Sequence, residues 1–123
     1  MRALLLCLCA CLCLLSCKKE DPEGVSIRVR NASQYSFENI VVNTTGGENN
    51  YGTVSAGQSS DYKYFTKAYG YGYVKLTSQG EELQIIPIDY VGESLLAPGR
   101  YTYALDVVDY NGQKRLTSTL ERQ

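Results

Sequence analysis

The chain of 123 residues carries 12 Lys and Arg against 13 Asp and Glu, with five Cys, eleven Tyr, no His and no Trp. That length supplies one domain with a modest core and not two, and a balanced charge without a basic block excludes the electrostatic footprint of a nucleic-acid binder. With no His anywhere and no Cys after residue 17, a Ser-His-Asp or Cys-His nucleophile cannot be built, and zinc loses its usual nitrogen and sulfur ligands.

Met1-Arg2 places one positive charge ahead of an apolar run from Ala3 to Leu15, shorter than the about 20 residues that a bilayer-spanning helix needs. Leu14-Leu15-Ser16-Cys17 follows, and the chain then turns abruptly charged at Lys18-Lys19-Glu20-Asp21. In that context the four residues resemble the lipobox of bacterial lipoproteins, in which a Leu and a small residue precede a Cys that is lipidated on sulfur and becomes the mature N-terminus. The resemblance implies a signal peptide over 1–16, lipid on Cys17 and attachment to the cell envelope. The charged patch after Cys17 is similar to surface-export signals of Bacteroidota lipoproteins, which implies the outer membrane and a location open to the cell surface.

Cys7, Cys9, Cys11 and Cys13 all fall in the cleaved segment, so no disulfide is expected in the mature chain of 107 residues, although its export route would permit one. Without Arg2, 11 basic side chains face 13 acidic ones. Residues 17–24 read as the lipidated Cys and a short solvated tether, broken by Pro22.

From Val25 the pattern is strict alternation, with Val25, Ile27 and Val29 on one side and Ser26, Arg28 and Arg30 on the other, which predicts a half-buried strand ending at Asn31-Ala32-Ser33. Phe37 to Thr44 carries Ile40-Val41-Val42, apolar on both faces and so suited to a central position. A Gly-Asn loop over 45–50 closes it. Short strands are expected over Tyr51 to Val54 and Asp61 to Phe65, separated by a turn at Ser55-Ala56-Gly57-Gln58.

Tyr69 to Ser78 reads as the next strand, with Val74 and Leu76 inward and Tyr69, Tyr71 and Tyr73 together on the opposite, outward face. Gln79-Gly80 is the expected hairpin bend. Leu83 to Ile88 forms a further strand whose Pro87 cannot donate to a ladder, which points to a sheet edge or a bulge.

Leu95 to Tyr103 resembles the turn-then-tyrosine pattern that opens a late strand in many immunoglobulin-like sandwiches. Tyr101 stands at the place of the corner tyrosine, and Tyr103 where antibody domains have their second Cys. The last hairpin fixes its own register. If Asn111-Gly112 is a two-residue turn with both residues at positive φ, Tyr110 pairs with Gln113, Val107 with Leu116, Leu105 with Ser118 and Tyr103 with Leu120. Turn chemistry and hydrophobic alternation select that register independently. No segment keeps apolar residues at i, i+3, i+4 and i+7 over three turns. The expectation for 25–123 is therefore an all-β, antiparallel, immunoglobulin-like sandwich of seven or eight strands.

Carboxylate pairs at Asp89 with Glu93, or Asp106 with Asp109, do not amount to a catalytic site, because residues 106 and 109 face opposite sides of a strand. Asp109-Tyr110-Asn111-Gly112 contains a fragment of a calcium loop without its flanking acids or closing Glu, and reads as an ordinary turn. Neither an enzyme nor a cofactor or metal site is expected.

Tyr69, Tyr71 and Tyr73 are the candidate partner-binding residues, since an outward tyrosine offers large apolar area with little entropy to lose. Their alternative role is to cover the sheet through cross-strand contacts. The expected function is a lipid-anchored, non-catalytic envelope module that binds a protein or glycan partner. Two further readings stay open: an accessory subunit of an envelope assembly, and a small carboxylate-dependent hydrolase.

Overall fold

The computed structural model describes residues 24–90 and 92–122, so the expected signal peptide over 1–16, the expected lipidation site Cys17 and the expected tether up to residue 23 lie outside the described residues. The chain folds as two four-stranded sheets packed face to face, without a helix among the described residues. Its strands are β1 (Val25–Asn31), β2 (Phe37–Asn43), β3 (Glu48–Val54), β4 (Lys63–Phe65), β5 (Tyr73–Ser78), β6 (Glu81–Ile85), β7 (Gly99–Tyr110) and β8 (Gln113–Arg122). One sheet has the order β4-β1-β7-β8 and the other β3-β2-β5-β6. All pairings are antiparallel except β1 with β7, which run parallel with Val25 opposite Gly99.

Alternation explains why the sheets face each other. Val25, Ile27 and Val29 of β1 and Tyr103 and Leu105 of β7 on one sheet, with Phe37, Ile40 and Val42 of β2 and Val74 and Leu76 of β5 on the other, are all buried in one cluster. Burying each such aliphatic or Phe side chain contributes roughly 1.5–3 kcal/mol. The apolar run Ile40-Val41-Val42 occupies an inner strand, as its two apolar faces predict.

The final hairpin has the expected register over its whole length, from Tyr110 opposite Gln113 to Tyr103 opposite Leu120. Asn111 and Gly112 both take positive φ, at 51° and 77°. Gln79-Gly80 makes the same kind of two-residue bend, leaving Ser78 opposite Glu81.

Three strands are shorter than their sequence patterns suggest. The one expected over Asp61 to Phe65 begins at Lys63, where pairing with β1 starts. The strand expected over Tyr69 to Ser78 begins at Tyr73, because β4 belongs to one sheet and β5 to the other and residues 66–72 are spent on the crossing. The strand expected up to Ile88 stops at Ile85, two residues before Pro87, and does lie at a sheet edge. In the other direction, β3 starts at Glu48 rather than Tyr51, lengthened by pairing of Glu48, Asn49 and Asn50 with β2.

The strand directions bring Tyr73 and the ends of several strands to one end of the sandwich. Val25 pairs with both Gly99 and Phe65, so the start of β1, the start of β7 and the end of β4 lie together. The end of β2, the start of β5 and the end of β6 share a level through Asn43 opposite Tyr73 and Val74 opposite Ile85. Loop contacts join the two sets: the Thr66 amide donates to the Gly46 carbonyl at 2.9 Å, and the Thr44 hydroxyl to the Lys67 carbonyl at 2.7 Å. A Cβ on Gly46 would collide with the Lys67 backbone, so this approach requires glycine.

The opposite end is held by Asn31, which is fully buried. Its amide nitrogen donates to the carbonyls of Tyr35 and Val54 at 2.6 and 2.9 Å, and its side-chain oxygen accepts from the Ser33 amide and hydroxyl. A buried Asn with both ends bonded ends β1 where the sequence places the stop.

Candidate functional site

The three tyrosines singled out in the sequence divide into two roles. Tyr73 is the first residue of β5 and alternates outward against buried Val74 and Leu76, as parity demands. Its ring is half-buried beside Asn43 on β2, and its hydroxyl donates to Oε1 of Gln84 on β6 at 3.3 Å. Lys75, Val41 and Gln84 continue the same face.

Tyr69 and Tyr71 lie before β5, in the crossing from one sheet to the other, and do not form one strand face with Tyr73. They turn instead to Tyr90, a residue the sequence pattern did not single out. Tyr69 stacks on Tyr90 with ring centroids 4.2 Å apart and 14° between planes, and Tyr71 lies tilted against it at 5.5 Å. The Tyr71 hydroxyl donates to the carbonyl of Asp89 at 2.9 Å. Burial first, and then the adjacent Tyr71 and Tyr69, push the Tyr90 phenol above its ordinary range, so it stays neutral.

Below this cluster, the buried Tyr103 donates its hydroxyl to the Tyr69 carbonyl at 2.7 Å, and the Leu96 amide donates to the Ala68 carbonyl at 2.9 Å. Tyr101 donates to the Ala97 carbonyl at 2.7 Å. That is the backward bond to a residue a few positions upstream that defines a corner tyrosine. Together these contacts hold the connector between β6 and β7 against the crossing segment. Tyr90 could have been found from its sequence position only through its partners, which are 19 and 21 residues away.

The connector nevertheless leaves apolar side chains in water. Ile88 is 98% exposed, Ile86 61% and Leu95 52%. Two clefts lie elsewhere: one of about 290 Å³ beside Ala32, Tyr35, Asp106 and Lys114, and one of about 630 Å³ along β3 and the Ser59-Ser60-Asp61 segment. Asp106 caps the backbone amide of Val107 at 2.8 Å, which is a local structural bond. Among the described residues no group of three or more Cys, Asp or Glu side chains is placed to hold a metal ion.

No protein-family model matches the chain, and no curated protein does. In fold it is similar to a protein from Eubacterium rectale whose structure was determined by NMR, with a TM-score of 0.57 and 20% sequence identity over 78% of this chain and 88% of that one. At that identity the likeness concerns the fold alone.

Proposed function

We propose that the chain is a non-catalytic module of the bacterial cell envelope, held on the outer membrane by lipid on Cys17, that binds a protein or glycan partner through the tyrosine-bearing outer face of the β3-β2-β5-β6 sheet. The anchor rests on Leu14-Leu15-Ser16-Cys17 and the charge switch behind it. The absence of His, and of Cys after residue 17, supports a role without catalysis.

The observation that carries the binding reading is Tyr73, half-exposed on the outer face of the β3-β2-β5-β6 sheet and flanked by Asn43, Lys75 and Gln84. A ring with one hydroxyl among amide and ammonium groups suits a partner that is itself part polar. With Tyr69 and Tyr71 packed on Tyr90, recognition falls on Tyr73. Without Trp, a protein partner is favoured over a glycan.

Tyr73→Ser should leave stability within about 1 kcal/mol, as at surface sites generally, while abolishing capture of the partner that in-cell crosslinking of the parent identifies. A folded Tyr73→Ser protein that captures the same partner would move the function to the accessory-subunit reading.

A further inference from the structure

The large hydrophobic side chains exposed among the described residues fall into two groups. Tyr35, Val108 and Tyr110 belong to the end where β1 and β7 finish, around the Asn111-Gly112 turn. Ile86, Ile88 and Leu95 belong to the β6–β7 connector, at the end where β1 begins and Gly24 leads back to Cys17. The six residues 18–23 separate Cys17 from Gly24, and an extended chain of that length reaches at most about 25 Å. A lipid on Cys17 therefore confines this end, and not the other, to the immediate neighbourhood of a bilayer.

Ile88 is 98% exposed, so no described residue covers it. On the same connector, two residues after Ile88, Tyr90 packs with Tyr69 and Tyr71, rings that are apolar in body and polar at the tip, the kind of side chain that settles at membrane interfaces. The ionic groups around this end are mixed. Lys67, Arg100 and Arg122 are exposed here, as are Glu48, Asp89 and Glu93. Such a balance neither demands nor forbids an anionic surface, so apolar insertion is the driving term.

We propose that the β6–β7 connector is a second membrane contact, Ile86, Ile88 and Leu95 entering the lipid interface beside the acyl chains on Cys17 and setting the sandwich upright with its sheet faces open. The inference rests on the lipid-anchor reading of Cys17 and extends it. The short tether holds the connector at high effective concentration over the bilayer, so an apolar patch too small to bind membrane unaided can remain docked.

Lipidated mature protein, processed to begin at Cys17 and carrying Ile88→Cys, offers one free thiol, because Cys7, Cys9, Cys11 and Cys13 leave with the signal segment and the Cys17 sulfur is acylated. A fluorophore on it is reconstituted into phosphatidylcholine vesicles containing lipids spin-labelled near the headgroup, with Val108→Cys as the far-end control. Mass analysis of the N-terminal peptide first establishes whether Cys17 carries diacylglycerol. Strong quenching at 88 and little at 108 supports the proposal. In that case Ile86→Glu with Leu95→Glu should lower the docked-to-free ratio by at least about tenfold, since a buried aliphatic is worth a tenfold step or more.

Equal quenching at 88 and 108 with Cys17 lipidated overturns the connector contact and leaves the anchor standing. An unlipidated Cys17 overturns the anchor and the connector contact with it. A label at 88 that is unquenched in vesicles yet shielded on intact cells overturns the bilayer as occupant in favour of a protein partner.

Discussion

Single residues decide the conformation of this sandwich at its turns and at its buried hydroxyls. Asn111 and Gly112 both sit at positive φ, and a Cβ on Gly112 would meet no neighbour within 4 Å. Any cost of substitution there is thus conformational rather than steric against the rest of the fold. Gly112→Val should destabilise by about 1 kcal/mol or more, because a β-branched residue is forced into the left-handed region. Urea denaturation of the protein from Cys17 onward measures it, and an unchanged midpoint would mean that the turn re-forms at no cost.

Tyr101, Tyr103 and Tyr51 follow another rule. Each ring fills the core while its hydroxyl reaches a carbonyl, Tyr51 donating to Ile27 at 2.6 Å across the two sheets. The sequence placed Tyr101 at the corner through the Ala97-Pro98-Gly99 turn before it. Nothing local marked the target of Tyr51, which lies 24 residues back on the opposite sheet.

At the scale of elements, β7 and β8 were legible residue by residue, whereas the segment from Tyr69 to Tyr73 was legible only in part. In the hairpin a two-residue turn and period-two alternation act over a few residues, and their agreement leaves one register. In the crossing segment, parity assigned Tyr73 correctly but treated Tyr69 and Tyr71 as its continuation. The chain instead leaves the strand direction to change sheets, and the Tyr69 and Tyr71 rings find Tyr90 on the connector.

Tyr71 is consequently a brace for the connector. Tyr71→Ser removes the 2.9 Å bond to Asp89 and the contact with Tyr90. One hydrogen bond and one aromatic contact together are worth about 1–2 kcal/mol, between the cost of an outward residue and that of a core one. Hydrogen exchange should show the Leu96 amide, bonded to Ala68, losing protection more than the amides of β7 and β8. Uniform loss across the sheets would mean that Tyr71 supports the whole fold rather than the connector.

The whole molecule responds to pH through its buried phenols. Burial, above all, pushes Tyr51 and Tyr103 far above the ordinary tyrosine range, with Tyr103 beside Tyr51 and Tyr90 beside Tyr103 adding to the shift. Both hydroxyls donate to carbonyls and would lose those bonds on ionising. Because the folded-state values are raised, the stabilisation is complete below the unfolded value of about 10 and declines as pH rises past it, the unfolded chain releasing protons that the folded chain retains. The urea midpoint should be flat between about pH 7 and 9 and fall above about 10. In Tyr51→Phe with Tyr103→Phe that alkaline fall should shrink, and an equal fall in both proteins would place its origin elsewhere. The exposed Arg30–Glu121 pair, at 2.9 Å, lowers the Glu121 carboxyl through its hydrogen bond. Water screens such a pair, so it contributes little to the acid side.

By itself the sequence determined the strands, most of their turns, the register of the last hairpin and the side of β5 on which Tyr73 lies, because turn chemistry and side-chain parity act between near neighbours. It also carries the lipobox resemblance that underlies the proposed anchor. Tertiary structure alone decided that β1 runs parallel to β7, with Val25 against Gly99, and that Tyr90 completes an aromatic cluster with Tyr69 and Tyr71. It alone placed Ile86 and Ile88 in solvent at the end where β1 begins, where period-two reading would have continued a strand. Each of these depends on which distant segments share a sheet, and the free energy that chooses between pairings resides in the assembled core rather than in any local pattern.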